Sequence, residues 1–206
     1  MKVKKNKQFY ISIFFMLVLQ IITYALVKLF QTNYHTFNYS LDNKIPFIPQ
    51  MIIIYNLFYP MIFITFHSIY KKDKQTFNKG IIAAIIGYII ADIIFIIYPV
   101  EMIRPDITNL HVDPLTQLII TLTYNIDSPA INCFPSIHCI YCFNCIYTII
   151  NTNNLKIRSK IIYIITLSLI ILSVLLVKQH YIFDVIAALI IVIISNIISY
   201  YLNKKK

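Results

Sequence analysis

Charge is scarce in this chain. Only 13% of its 206 residues are charged and only two are glycine, while 59% are hydrophobic. A soluble domain carries about a quarter charged residues, so a soluble globular fold is excluded. Internal repeats and long low-complexity linkers are also missing, which predicts a single membrane-embedded domain over 1–206. No small-residue cleavage site follows Phe30, and the first apolar run is too long for a signal-peptide core. The N-terminal run is therefore expected to be a retained helix.

Apolar runs of membrane-spanning length dominate what is present. They fall at about 9–30, 47–70, 80–98, 136–152, 160–177 and 180–202, the fourth being short. The predicted class is all-α, a polytopic membrane protein with six transmembrane helices. The net charge of +10 is unevenly placed. Lys2, Lys4, Lys5 and Lys7 precede the first run, and Lys71, Lys72, Lys74 and Lys79 separate the second from the third. Lys156, Arg158 and Lys160 separate the fourth from the fifth, and Lys204, Lys205 and Lys206 end the chain. Six spans put 14 of the 18 basic residues on one side, which predicts cytoplasmic termini by the positive-inside rule. That distribution argues against nucleic acid as a partner.

The other side receives 31–46, 99–135 and the turn at 178–180. These segments hold Arg104-Pro105, then Pro135-Ser136-Ile137-His138, then Lys178-Gln179-His180 with Asp184 beyond. Pro114 to Tyr124 reads as a helix lying at the interface. Ionisable groups near lipid cost a few kcal/mol each and mark function. A last helix beginning at about Gln179 would put His180 and Asp184 one turn apart, the spacing for a carboxylate that orients an imidazole. Ser136 is placed to cap a helix whose free N–H groups attract an anion. Arg104 offers a donor fork for phosphate oxygens and Lys178 a point charge. His138 is placed to protonate a leaving oxygen, and His180 to attack phosphorus. An anion cradle with two histidines reads as phosphoryl transfer.

In these blocks the chain resembles the type 2 phosphatidic acid phosphatase superfamily of membrane lipid phosphatases and phosphotransferases. Arg104-Pro105, Pro135-Ser136-Ile137-His138, and Ser173 through His180 to Asp184 stand in the family's order. The resemblance implies that His180 forms a phosphohistidine, Asp184 orients it and His138 protonates the leaving oxygen. Arg104, Ser136 and Lys178 would hold the phosphoryl oxygens. Ile97 and Val174 stand where the family often has cations, so Lys178 is expected to supply one charge. The stretch from Asp127 to His138 and the Lys-Gln-His-Tyr run resemble a bacterial-type branch that is also similar to inositol phosphorylceramide synthases.

Cys139, Cys142 and Cys145 repeat at three-residue spacing beside His138, but no fourth ligand is evident. They are expected to pack rather than hold metal, and Cys133 has no disulfide partner on its side. Asp92 lies inside the third run. It supports the active site or satisfies polar groups such as Asn56 or Asn196. Asp127 and Asn132 are expected to shape the loop before the Pro-Ser-x-His block.

The expected activity is hydrolysis of a lipid phosphomonoester or diphosphate, without cofactor or metal. The expected partners are a phosphorylated lipid and the bilayer. Heavy Ile, Asn and Lys usage suggests an AT-rich genome compatible with a bacterium, so the expected place is a bacterial plasma membrane, with the site facing outward by the charge pattern. Transfer of a phospho-headgroup to an alcohol is the alternative within the same chemistry. A non-catalytic transporter or structural membrane protein is the alternative from another class.

Overall fold

Each long apolar run folds into a helix. The computed structural model describes residues 7–30, 33–37 and 39–204, so Lys2, Lys4, Lys5, Lys205 and Lys206 of the charge pattern lie outside the described residues. Helix α1 spans Lys7–Phe30, the short α2 Ser40–Lys44, α3 Ile52–Asn56 and α4 Phe58–Lys72. Then follow α5 (Lys74–Ile97), α6 (Pro114–Ile126), α7 (Ile137–Asn151), α8 (Ile157–Leu176) and α9 (Ile182–Lys204). Among the described residues the only β feature is an isolated bridge between His35 and Val100, so the chain is all-α.

Among the described residues, five segments are long and apolar enough to cross a membrane: Phe9–Val27, Pro49–Lys72, Lys74–Ile97, Ile157–Leu176 and Ile182–Lys204. These make the chain a membrane protein. The expected fourth span, over 136–152, is α7, which has only 15 residues. At 1.5 Å per residue it is about 22 Å long, against about 30 Å of hydrocarbon.

Several boundaries differ from the sequence expectation. The expected second span at 47–70 is a broken rod, with a 3-10 turn at Pro49–Met51 and a break at Leu57 between α3 and α4. Pro60 has no N–H to offer the carbonyl of Asn56, and its ring crowds that carbonyl. The third helix starts at Lys74 rather than 80, because Asp73 caps it by accepting from the Thr76 N–H at 3.0 Å. The last helix starts at Ile182 rather than 180, where Asp42 Oδ1 accepts the Ile182 N–H at 2.8 Å. His180 therefore stands in the turn before α9, not on it.

Helix α7 runs through the middle of the bundle, packed by α4, α5, α8 and α9. Both glycines lie where α5 meets it. A Cβ at Gly80 would come within 2.8 Å of Thr148 Oγ1 and Cγ2, and one at Gly87 within 3.2 Å of Ile140 Cγ2. Close approach also exposes a backbone acceptor: Asn144 Nδ2 donates to the Gly80 carbonyl at 2.9 Å. Asn196 Nδ2 in turn donates to Asn144 Oδ1 at 3.2 Å, so three helices share one buried polar chain. Asn196 is thus not a partner of Asp92, and Asn56 is engaged by Ile52 and Thr123. Asp92 instead lies beside Thr23 and Tyr88, whose hydroxyls bond each other between α1 and α5. Cys139, Cys142 and Cys145 are fully buried in the same core as packing residues.

The α4–α5 and α7–α8 turns meet where Asp73 Oδ2 accepts the Asn153 N–H at 3.1 Å. Lys71, Lys72, Lys74, Lys156, Arg158 and Lys160 flank these turns. The loops carrying the three motif blocks gather at the opposite end. There Val100, Met102, Ala130, Cys133 and Tyr181 form a small second core under Phe37 and Phe134.

Candidate active site

The turn between α8 and α9 holds its shape through backbone bonds that end α8. The Lys178 N–H donates to the Leu175 carbonyl at 3.2 Å and the Gln179 N–H to the Val174 carbonyl at 2.9 Å. This is the Schellman pattern, and Lys178 takes its left-handed position with φ +50°, where glycine is usual. A non-glycine residue there costs about 1–2 kcal/mol. The Lys178 ammonium is tied down as well, with Nζ donating to the carbonyls of Asp42 at 2.9 Å and Ile45 at 2.7 Å. Desolvation in this clamp lowers the Lys178 pKa from its ordinary value, and the nearby Asp42 charge opposes the shift.

The turn delivers His180 to a fixed place. Its Nδ1 lies 3.0 Å from the Cys133 carbonyl oxygen and 3.2 Å from Asp184 Oδ2. A carbonyl oxygen only accepts, so the proton of the neutral ring sits on Nδ1 and the Nε2 lone pair is left for chemistry. Asp184 is fully buried, and its Oδ2 also accepts the Tyr181 N–H at 2.8 Å. The Cys133 thiol is buried too, and desolvation, with the Asp184 and Asp127 charges, holds its pKa well above the usual thiol range. Its chemistry here is that of its carbonyl.

Helix α7 brings the second histidine. Ser136 caps it, accepting the Cys139 N–H on Oγ at 3.3 Å, while its own N–H donates to the Asp184 carbonyl at 3.2 Å. The first N–H groups of α7 have no partner within the helix and carry its positive end. His138, in the first turn, lies with its ring 5.6 Å from that of His180. Tyr55 at 4.7 Å and Phe58 at 4.4 Å pack against it. Phe58 also walls a small apolar cavity of about 70 Å³, lined by Ile13 and Met16 of α1, Phe63 of α4 and Tyr141 of α7.

Arg104 joins the turn through Gln179 Oε1, which accepts from Nη2. The same nitrogen pairs with Asp127 Oδ2, and Nη1 donates to the carbonyls of Asp127 at 2.8 Å and Tyr124 at 3.3 Å. The guanidinium also lies over the Tyr124 ring at 4.7 Å. The expected interfacial helix is α6, capped by Asp113 with Pro114 in its first turn. Burial raises the Tyr124 pKa to about 12, so its phenol stays protonated and donates to the Val177 carbonyl at 2.7 Å.

The structure thus brings together His180, Asp184, His138 and Ser136. It ties Arg104 to them through Gln179 and directs the Lys178 ammonium to the 42–45 segment. Ser173 is buried on α8, where its hydroxyl donates to the Ile170 carbonyl at 2.7 Å. Sequence reading gave no role to Gln179, Asp42 or Tyr24. Asp42 caps α9, Tyr24 donates to Asp127 Oδ1 at 2.8 Å, and only adjacency to His180 marked Gln179. Among the described residues no three of His, Cys, Asp or Glu group as metal ligands.

Comparison with curated proteins and with solved structures finds no match. A family model described as the PAP2 superfamily matches residues 41–198. That match takes in α2 through most of α9 and contains all three motif blocks. The chain is a member of the PAP2 superfamily, the type 2 phosphatidic acid phosphatases.

Proposed function

We propose that this membrane protein hydrolyses a lipid phosphomonoester or diphosphate through a phosphohistidine on His180. The observation that carries the reading is His180 Nδ1 held between the Cys133 carbonyl and Asp184, with the His138 ring 5.6 Å away. The Nε2 lone pair attacks phosphorus and the bond to the leaving oxygen breaks. His138 gives that oxygen its proton, and Asp184 stabilises the cationic phosphoimidazole. Water then attacks the phosphohistidine and returns a proton to His138. Phosphate leaves and His180 is restored. Superfamily membership supports phosphatase or phosphotransferase chemistry. The apolar cavity beside Phe58 supports a substrate with a hydrocarbon tail.

The site lies at the end of the bundle away from the basic loops, so the positive-inside rule favours a non-cytoplasmic active site and cytoplasmic termini. Metal-free catalysis is the expectation, with helix N-terminal N–H groups meeting the charge on the phosphoryl oxygens. Purified protein in detergent is to be assayed for phosphate release from phosphatidate, phosphatidylglycerophosphate and polyprenyl diphosphate. Release that disappears in His180→Ala and survives chelation supports the reading. Full activity in His180→Ala overturns it. Product appearing on an added alcohol such as inositol would mark transfer instead of hydrolysis.

A further inference from the structure

The cations that the sequence assigned to the phosphate are largely committed to protein groups. Arg104 carries five N–H donors, four of them on Nη1 and Nη2. Those nitrogens meet the carbonyls of Tyr124 and Asp127, the Asp127 carboxylate and Gln179 Oε1. A phosphate approaching Nη1 or Nη2 would have to displace Asp127, whose other oxygen is held by the Tyr24 hydroxyl at 2.8 Å, which leaves the buried and unpartnered Nε–H as the one guanidinium donor open to an anion. The Lys178 ammonium bonds two carbonyls of the 42–45 segment. Val174, where the family often has a cation, is apolar and fully buried.

The turn does offer an amide. Arginine has no acceptor atom, so the Gln179 atom facing Arg104 is Oε1, and this fixes which end of the amide carries Nε2. Nε2 is buried and has no hydrogen-bond partner, on a residue only 2% exposed and directly before His180. Leaving a buried donor unsatisfied costs about 1–3 kcal/mol, so Nε2 is a donor that a polar partner entering the site would satisfy. The pull of the guanidinium on Oε1 also polarises the amide and strengthens Nε2 as a donor. The Gln179 backbone is fixed by its bond to Val174.

We infer that Gln179 Nε2 donates to a nonbridging oxygen of the phosphoryl group attacked by His180, beside the Nε–H of Arg104, whose other nitrogens hold the Gln179 amide and are anchored by Asp127. The inference rests on the phosphoryl-transfer reading of the same site. It adds a neutral ligand to the cation that the sequence assigned to the phosphate.

The test compares wild type with Gln179→Glu and Gln179→Leu. The readouts are the inhibition constant of orthovanadate, kcat and KM for phosphate release, and the thermal midpoint in detergent. Gln179→Glu keeps an acceptor for Arg104 and replaces the donor by an anion, so the turn is retained while phosphate is repelled. Expected is a rise of about tenfold or more in the vanadate constant and a similar fall in kcat, with the midpoint within about 3 °C of wild type. Gln179→Leu gives the same direction and decides the matter if Gln179→Glu does not accumulate. Wild-type vanadate affinity and kcat in both variants overturn the Gln179 assignment and leave the phosphatase reading standing. A wild-type protein that neither binds vanadate nor releases phosphate overturns both.

Discussion

Ser136 and Asp184 are joined through the backbone, the Ser136 N–H donating to the Asp184 carbonyl oxygen at 3.2 Å. The cap of α7 and the carboxylate that fixes the His180 tautomer therefore share one frame. Two motif blocks nearly fifty residues apart in sequence, roughly a quarter of the chain, become a single rigid piece. His138, two residues past the cap, inherits its position relative to His180 from this bond.

Replacing Asp184 by Asn keeps an oxygen for the Tyr181 N–H and removes the charge that supports a cationic phosphoimidazole. The expected result is a fall in kcat of about a hundredfold or more, with the thermal midpoint little changed. Phosphate release measured against a His180→Ala baseline checks it.

Gly80→Ala forces a Cβ to within 2.8 Å of Thr148, a β-branched residue whose Oγ1 is held by the Asn144 carbonyl at 2.6 Å. The side chain cannot rotate away freely, so overpacking of about 1–3 kcal/mol is expected. Thr148→Ala in the same chain relieves most of that loss. Thermal midpoints of the four proteins in this cycle would show strong non-additivity.

Lys178→Gly suits the left-handed turn better than lysine but releases the 42–45 segment. Protease cutting near Asp42 should accelerate, while the vanadate constant changes by less than about tenfold. A larger loss of vanadate affinity would show that the ammonium leaves the carbonyls to bind phosphate.

Asp73 sits at the opposite end, between α4 and α5. Its burial acts to raise its pKa, and hydrogen bonds from Thr76 and Asn153 outweigh that and hold it below the usual carboxylate range. A depressed carboxyl contributes stability above its unfolded pKa, and that contribution is lost as pH falls through the folded value. Asp73→Ala is expected to cost about 1 kcal/mol at neutral pH. The difference from wild type should persist down to about pH 5 and close below about pH 4. Midpoints taken across that range in detergent check the sign.

Much of the fold was legible because membrane-length apolar runs have few alternatives to helix. The motif residues were legible because ionisable groups rarely stand beside lipid without cause. Helix boundaries were less so. The break at Leu57 depends on Pro60 acting one turn back, and the start of α9 at Ile182 depends on Asp42, which is 140 residues away in sequence. The destinations of Arg104 and Lys178 were not legible at all. Long flexible cations take whichever acceptors the fold presents, here Asp127, Gln179 and the carbonyls of 42 and 45. The orientation of the Gln179 amide follows from Arg104 and emerges only once that contact exists.

The glycine contacts also set a depth. Gly80 faces Thr148 and Gly87 faces Ile140, so α5 and α7 run antiparallel in near register. Carried one turn onward, that register puts Ser136 and His138 level with about residue 90 of α5, which continues to Ile97, about 10 Å further. Ile93, Ile96 and Ile97 on that overhang are 50%, 58% and 75% exposed, an apolar rim standing beyond the first turn of α7. His138 is thereby set back by about 10 Å from the end of α5. On the phosphatase reading, an apolar rim of that height would suit a phosphate that arrives on a hydrocarbon chain better than a fully hydrated ester.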